Sequence, residues 1–235
     1  MFLHSHPYEP FLFEGATKLI VGTLPPPRFT TDDLRPGDVH FCYGSKDGQL
    51  WPILDKIFDL GLRYENSEQA VKQRTDFLRE RRIGICDIVE SATRSKIDAS
   101  DLGMQSVKLR NLISYLHRCP KVDTLLFTGG NSKNGPEYFF RKQLKEHGVD
   151  LRVVSSDVPR IHEFQLPIGL GNDSENSHQI NSAAEMRTIR TVSLTAPSGA
   201  ANRAVGSLLA YKKQKDADPN FTTFDFRVLQ YKVHF

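Results

Sequence analysis

The chain has 235 residues, which is enough for one well-packed α/β domain and short for two. Apolar residues make up 39% and charged residues 25%, as in an ordinary soluble globular protein. No apolar run approaches the ~20 residues that a membrane-spanning helix needs, and the formal net charge of +3 permits a polyanionic partner only where cations cluster.

The N-terminal segment lacks the basic stretch followed by an apolar stretch that marks a secretory signal peptide, so we expect a cytoplasmic protein without membrane contact. Its three cysteines, Cys42, Cys86 and Cys119, are far apart and form no Cys-x-x-Cys pair. They are too few for a four-cysteine metal site. We therefore expect reduced cysteines, no metal and no cofactor.

Short apolar runs that alternate with helical patterns predict the fold. The predicted strands are residues 18–21, 83–86, 124–127 and 191–194. Residues 151–154 would be the fifth strand of a five-stranded sheet. The predicted helices are residues 49–60, 67–81, 106–118 and 136–147. This alternation predicts an α/β three-layer sandwich, in which a central, mostly parallel sheet of four or five strands carries helices on both faces. We expect a single domain over residues 1–235.

The carboxyl ends of parallel strands meet at one edge of a sheet, where ligands bind. The segments expected at that edge are residues 22–27, 87–91, 128–134 and 195–202. The first of them matches neither the Gly-x-Gly-x-x-Gly dinucleotide motif nor the Walker phosphate loop, which disfavours a dehydrogenase or a nucleoside triphosphatase.

Residues 41–52 combine aromatic side chains, a glycine-bearing turn and a predicted helix start. Tyr43 beside a strand-end pocket could stack on a planar base, a contact worth ~1–3 kcal/mol, whereas Trp51 is interpreted as a core aromatic. Asp47 lies in a Lys-Asp-Gly sequence typical of turns. Asp87 follows a buried strand at the binding edge, which favours a functional role, although it could instead cap the next segment.

Near the C-terminus, a β-branched run leads through Pro197-Ser198-Gly199 straight into a predicted helix start. Such a loop suits contact with phosphate or with a nucleic acid groove. The basic cluster Lys212-Lys213 with Lys215 follows it, although a basic cluster near a helix C-terminus is also ordinary.

These segments resemble, in order along the chain, those of the uracil-DNA glycosylase superfamily. Gly22-Thr23-Leu24-Pro25 looks like its motif at the end of the first strand. Residues 43–51 look like the segment from stacking aromatic to tryptophan in the mismatch-specific and hypoxanthine-type branches, and residues 84–89 look like the next strand end. Residues 196–202 resemble the intercalation loop of the mismatch-specific branch. The long polar loop at residues 169–182 has no counterpart.

The resemblance implies a monofunctional DNA glycosylase that flips a base out of DNA and hydrolyses its N-glycosidic bond. Asp87 and Asp47 are the candidates for positioning water and stabilising the oxocarbenium-like charge, and Asp87 could instead contact the base edge. The predicted base-binding residues are Gly22, Thr23, Leu24, Pro25, Tyr43, Thr128 and Asn131. The predicted DNA-binding residues are Ser198, Gly199, Ala200, Asn202 and Arg203, with Ala200 at the wedge position. We expect a monomer that binds double- or single-stranded DNA.

The chain also departs from this pattern. Leu24 stands where the superfamily often has a water-activating Asp or Asn, and Gly48 stands where the hypoxanthine-type branch has an Asn. Ala196 and Ala200 are likewise smaller than their counterparts. The lost volume indicates a non-standard base, such as a deaminated purine or a bulky modified base of the phage type, and a substrate that is single-stranded or already opened. His178, in the long loop, is left out of the catalytic set.

Two other interpretations stay open. The protein could be a catalytically inactive nucleic-acid-binding module of the same fold, which the vacant catalytic positions favour. It could also be a small-molecule nucleoside hydrolase, which would not need the Pro-Ser-Gly loop.

Overall fold

The computed structural model describes residues 1–168 and 185–235. Its strands are β1 (Phe2–Ser5), β2 (Lys18–Val21), β3 (Ile83–Ile85), β4 (Val89–Arg94), β5 (Gln105–Leu109), β6 (Thr124–Phe127), β7 (Arg152–Ser155), β8 (Arg160–Pro167) and β9 (Met186–Ser193). Its α-helices are α1 (Pro27–Thr30), α2 (Leu50–Phe58), α3 (Glu68–Glu80), α4 (Leu112–Arg118), α5 (Pro136–Glu146), α6 (Asn202–Ser207), α7 (Leu209–Ala217) and α8 (Thr223–Lys232). Short 3₁₀ turns cover Asp101–Gly103 and Gly199–Ala201.

The central sheet has the strand order β3-β2-β6-β9-β8-β7. The first four of these strands are parallel, β8 is antiparallel to β9, and β7 is antiparallel to β8. The predicted mostly parallel α/β class is confirmed, but over the described residues the sheet has six strands instead of four or five. The additional strand is β8, whose alternating charged and apolar residues hide it from a search for continuous apolar runs.

Helices cover both faces of this sheet. Because successive residues of a strand point to opposite faces, Val21 and Ile20 of β2 enter two different apolar clusters. The cluster around Val21 is completed by α4 and α5, and the cluster around Ile20 by α2, α3 and α8. This arrangement is the predicted three-layer sandwich.

A second, smaller sheet of antiparallel strands in the order β1-β4-β5 was not predicted. The helix expected over residues 106–118 begins only at Leu112, where the Asn111 side chain caps it by accepting a hydrogen bond from the Ser114 amide at 2.9 Å. The residues before it form β5, in which the half-buried Val107 and Leu109 alternate with the exposed Ser106 and Lys108. That period of two is typical of a strand.

Two further sequence predictions concern the long polar loop and membrane-spanning helices. The long loop predicted at residues 169–182, with His178, lies outside the described residues. Across the two described ranges, no helix is long and apolar enough to cross a membrane.

The register of the central sheet brings three strand ends level with one another. Val21, Phe127 and Ser193 are partners across β2, β6 and β9. The backbone hydrogen bonding between these strands continues for one more residue. The Thr128 amide donates to the Val21 carbonyl, and the Leu194 amide donates to the Phe127 carbonyl, both at 2.9 Å. The segments that follow these strands therefore leave the sheet side by side.

We expect the substitution Phe127→Ala to lower the free energy of unfolding by about 3–5 kcal/mol, because it opens a cavity beside Phe140 in a fully buried part of the core. Urea unfolding followed by circular dichroism measures this. The matched control is Leu229→Ala on α8, whose side chain is 51% exposed. Its effect should stay within about 0.5 kcal/mol, and equal losses in the two variants would contradict this placement of the core.

Candidate functional site

A cleft of about 590 Å³ opens at the carboxyl ends of β2, β6 and β9. Its size is typical of small-molecule sites. The polar side chains that line it are Thr23, Asp101, Thr128, Asn131, Ser132, Arg160, Ser193 and Thr195. Three of the four segments predicted to meet at this edge contribute to the cleft, whereas residues 87–91 are not among those that line it.

Asp101 is a carboxylate in the cleft that the sequence gave no reason to select. The Thr23 hydroxyl donates to its Oδ1 at 2.7 Å. Its 3₁₀ turn is fixed from both sides, because the Asn134 side-chain amide donates to the Asp101 carbonyl at 2.9 Å and Arg94 Nη1 donates to the Ser100 carbonyl at 2.6 Å. The residue lies in a polar stretch without periodicity, and only the fold brings it to Thr23.

Burial raises the pKa of the Asp101 carboxyl above its ordinary value, and the nearby charge of Asp87 acts in the same direction. The hydrogen bond from Thr23 and the charge of Arg94 oppose this rise without cancelling it. A carboxyl group with a raised pKa in a cleft has the character of a general base or of a group that stabilises positive charge.

Arg160 supplies the positive charge of the cleft, and a buried carboxylate holds it there. Glu137 is fully buried, and its Oε2 accepts from Arg160 Nη2 at 2.6 Å and from the Ser193 hydroxyl at 2.5 Å. Its Oε1 accepts from Arg141 Nε at 2.8 Å. Burial alone would raise the pKa of Glu137, but these three donors lower it, so the carboxylate is ionised and keeps Arg160 in place.

Asp101 and Arg160 belong to different ends of the cleft. Asp101 is held by Thr23 at the end of β2, whereas Arg160 begins β8. Three strand-to-strand steps separate β2 from β8, which corresponds to about 14 Å between their backbones. The Arg160 side chain extends from β8 toward Gly130, which follows β6. The cleft therefore holds an anionic group beside the end of β2 and a cationic group on the side of β8, which the text below calls its anionic and cationic ends.

Asp87 lies behind the cleft and is only 5% exposed. Its Oδ1 accepts from the Gly22 amide and from the Tyr43 hydroxyl, both at 2.9 Å, and its Oδ2 lies 2.9 Å from His6 Nε2. Both oxygens are thus occupied by protein groups. This geometry holds the end of β2 in place and leaves the carboxylate no open position toward the cleft.

Tyr43 is anchored by its hydroxyl, which also lies 3.1 Å from Thr128 Oγ1. Burial raises the pKa of this phenol well above its ordinary value. Gly22 is required here, since a Cβ at that position would lie 2.2 Å from the Tyr43 hydroxyl oxygen. The predicted stacking of Tyr43 on a base remains a prediction.

The other predicted site residues divide between the cleft and its surroundings. Thr23, Thr128 and Asn131 line the cleft, whereas Gly22, Leu24, Pro25 and Tyr43 are not among its lining residues. Asp47 is 59% exposed and pairs with Arg28 at 3.4 Å and Lys46 at 3.2 Å. Its side chain is directed to these cations at the surface, and it does not line the cleft.

The Pro197-Ser198-Gly199 loop contacts the segment that contains Tyr43 and Asp47. The two segments are far apart in the sequence, so this contact could not be predicted from it. The Gln49 amide donates to the Pro197 carbonyl at 2.8 Å, and Gly48 forms a bridge with Ser198. The two segments that the sequence singled out separately are therefore one structural unit.

Arg227 of α8 holds this loop from beneath and is fully buried. Its Nε donates to the Ala196 carbonyl at 2.8 Å, its Nη2 to the Ser198 carbonyl at 3.0 Å, and its Nη1 to Asn202 Oδ1 at 2.9 Å. The side-chain oxygen of Asn202 is thus engaged within the protein. Gly199, Ala200 and Arg203 are exposed, as a DNA-contacting role for them requires.

A metal centre has no counterpart in the described ranges, where no group of three or more His, Cys, Asp or Glu side chains could hold an ion. The side chains that line the cleft supply a carboxylate, a guanidinium, hydroxyls and an amide.

We expect Arg227→Met to loosen the loop, because it leaves the carbonyls of Ala196 and Ser198 without their donor. The free energy of unfolding should fall by at least about 2 kcal/mol, and amide hydrogen exchange at Ser198 and Gly199 should accelerate. Lys232→Met, which removes an exposed cation from the same helix, should change neither quantity. An unchanged rate of amide hydrogen exchange in Arg227→Met would contradict the role of Arg227 in holding the loop.

Asp38 provides a contrast to Asp101 for a test of pH dependence. Burial alone would raise its pKa, but hydrogen bonds from Arg28 and from the Lys46 and Arg35 amides lower it to about 2. Its contribution to stability is present at neutral pH and is lost as the pH falls toward that value. The effect of Asp101 on stability has the opposite pH dependence. Because its pKa is raised, ionisation of this carboxyl lowers the free energy of unfolding as the pH rises.

We therefore expect Asp101→Asn to keep or raise the free energy of unfolding at pH 7, with a smaller gain at pH 4, whereas Asp38→Asn should lower it at pH 7. Urea unfolding of the two variants beside the wild type at both pH values measures this. A clear loss of stability in Asp101→Asn at pH 7 would contradict the penalty assigned to the ionised carboxylate.

No protein-family model matches this chain, and no curated protein matches it either. Its structure is similar to the solution NMR structure of a candidate uracil DNA glycosylase from Methanosarcina acetivorans, with a TM-score of 0.50 and 14% sequence identity. The similarity covers 96% of this chain and 99% of that one. At this level of identity, the likeness shows that the two chains share a fold.

Proposed function

We propose that this protein is a monofunctional DNA glycosylase that flips a damaged or modified base into the cleft and hydrolyses its N-glycosidic bond, leaving an abasic site. The observation that carries the proposal is the presence of Asp101 and Arg160 at two ends of one cleft. The four motif segments and the fold shared with a candidate uracil DNA glycosylase support the same class.

The reaction needs opposite charges at its two centres. When the bond between C1′ and the base nitrogen breaks, its electron pair leaves with the base and positive charge develops on the sugar. The Asp101 carboxylate stabilises that charge, orients a water molecule toward C1′ and accepts its proton. Arg160 stabilises the departing base as an anion, and neither step requires a metal.

The polar lining and the volume of the cleft indicate the kind of base that it would accept. Thr23, Thr128 and Asn131 supply hydroxyl and amide groups that can hydrogen-bond the edge of a flipped base. The cavity of about 590 Å³ lies within the range of sites for drug-sized ligands. This supports a substrate larger than plain uracil, such as a deaminated purine or a bulky modified base.

Asp87 acts in this proposal as a positioning residue. Its carboxylate fixes Gly22 and Tyr43 and thereby the end of β2 that carries Thr23. Asp47 belongs to the surface near the Pro-Ser-Gly loop, and its catalytic role is the weaker alternative to that of Asp101. Ser198, Gly199 and Arg203 contact the DNA backbone beside the cleft.

The test is release of free base from a panel of oligonucleotides that carry deaminated or bulky modified bases. We expect Asp101→Asn to lower the single-turnover rate about 10²–10³-fold while the protein stays folded, because it removes a charge that acts in the transition state. The wild-type rate should rise with pH through the raised pKa of Asp101, and this acid limb should vanish in Asp101→Asn.

Two further variants make the test specific. Arg160→Met should slow release most for bases that are poor leaving groups, since it removes the group that stabilises the base anion. Asp47→Asn, an equally conservative change at the surface, should keep the rate within about threefold, less than the ~10²-fold that a general base contributes. Full activity of Asp101→Asn together with loss in Asp47→Asn would reverse the assignment.

A nucleic-acid-binding module without catalysis is the second candidate. Two observations favour it: Leu24 is apolar where a water-activating residue often stands, and both oxygens of Asp87 are occupied. DNA binding that weakens steeply with salt, combined with no base release from any member of the panel, would establish this alternative.

A further inference from the structure

We propose that Leu209, at the start of α7, is the side chain that enters the DNA base stack when a nucleotide is flipped, with Lys212 and Lys213 on the flanking phosphates. This inference rests on the proposed function and adds to it the surface that opens the duplex. It places that surface beside the Pro-Ser-Gly loop and outside the loop itself.

The loop offers no exposed apolar side chain of sufficient size, since its Pro197 is buried. Ala200, at the wedge position, is exposed but ends at a methyl group, and its neighbour Gly199 has none. Proteins that unstack DNA insert larger apolar side chains, such as Phe, Leu, Ile or Met. An exposed apolar side chain of that size at the rim of the cleft is therefore the feature to seek.

Leu209 meets this requirement by its position and exposure. It directly follows Leu208, which lines the cleft, and its own side chain is 76% exposed. Ala201, Ala204 and Val205 also line the cleft, so the segment that leads into α7 forms one rim. Leu209 therefore presents an apolar side chain of the required size to solvent at this rim.

The same face of α7 carries positive charge. Lys212 and Lys213 follow Leu209 at spacings of three and four residues, which places the three side chains together on a helix, and all three are exposed. Such a face presents one apolar group between two cations, which suits a gap in the base stack flanked by phosphates.

The opposite face of α7 is anchored, so the proposed wedge stands on a fixed helix. The ring of Tyr211 packs against those of Phe221 and Phe226, each at a centroid distance of 6.0 Å. Lys215 Nζ donates to the Pro219 carbonyl at 2.6 Å and to the Phe221 carbonyl at 3.0 Å.

Val158 also lines the cleft and is 44% exposed, but it is smaller than the inserted side chains named above. Leu102 is the competing leucine, and local charge decides between it and Leu209. Leu102 is 68% exposed and follows Asp101, which also lines the cleft. The carboxylate of Asp101 on the same turn, and that of Asp98 shortly before it, would repel phosphate, whereas Lys212 and Lys213 lie on the same helix face as Leu209. Leu102 is therefore the matched control for an exposed leucine at the rim.

The experiment uses a duplex that carries a tetrahydrofuran abasic-site analogue opposite 2-aminopurine, whose fluorescence rises when it is unstacked. The wild type should raise this fluorescence on binding. We expect Leu209→Ala to lose the rise and to weaken duplex binding about tenfold, a loss that matches burial of part of one leucine. Leu209→Met should retain both, and Leu102→Ala should behave as the wild type.

The lysines are tested by salt dependence. The slope of log K against log salt is negative. Lys212→Ala and Lys213→Ala should each make it shallower by about 1, because each removes one phosphate contact. A fluorescence rise that survives Leu209→Ala, or that is lost in Leu102→Ala, would overturn the inference, as would absence of a rise with the wild type at saturation. This readout needs no base release, so failure of the proposed glycosylase activity would leave it intact and be seen separately.

Discussion

The buried carboxylate of Asp87 is the interaction on which the candidate site depends. It joins the end of β2, the Tyr43 hydroxyl and His6 of the N-terminal segment, whose side chain is only 1% exposed. A buried carboxylate is costly unless donors surround it, and here three protein groups do so. Loss of any one donor would leave charge uncompensated, so this arrangement fixes the backbone that carries Thr23 and thereby the anionic end of the cleft.

The cationic end is built by the same physical means from different elements. Glu137 on α5 is fully buried and carries the charge that holds Arg160 of β8 and Arg141 of its own helix. Two guanidinium groups on one carboxylate leave a net positive charge, and Arg160 directs it to the cleft. Each end of the cleft is therefore fixed by a buried carboxylate.

The sequence predicted those parts of the structure that depend on local pattern. The apolar runs located β2 and β6 to the residue, and the helix predicted over residues 136–147 matches α5 within one residue. By contrast, Asp101 and Arg160 entered no prediction, because each reaches the cleft only through contacts between elements far apart in the chain. Asp87 follows β3, as the sequence indicates, but its burial, its partners and its position behind the cleft could not be inferred from a single strand end.

The clamped loop and the anchored α7 constrain how a nucleotide could enter the cleft. Arg227 fixes the loop from beneath, so the loop cannot supply by movement the volume that Ala200 lacks. Under the proposed function, a fixed rim that carries Leu209 fills a gap in the base stack more readily than it breaks a stable base pair. Selection would then favour nucleotides that leave the stack at low cost, such as mismatched, damaged or single-stranded ones. A wide cleft behind such a rim has room for many base shapes. In the proposed glycosylase, discrimination would therefore depend on the ease of flipping and on the charged groups of the cleft more than on a close fit around the base.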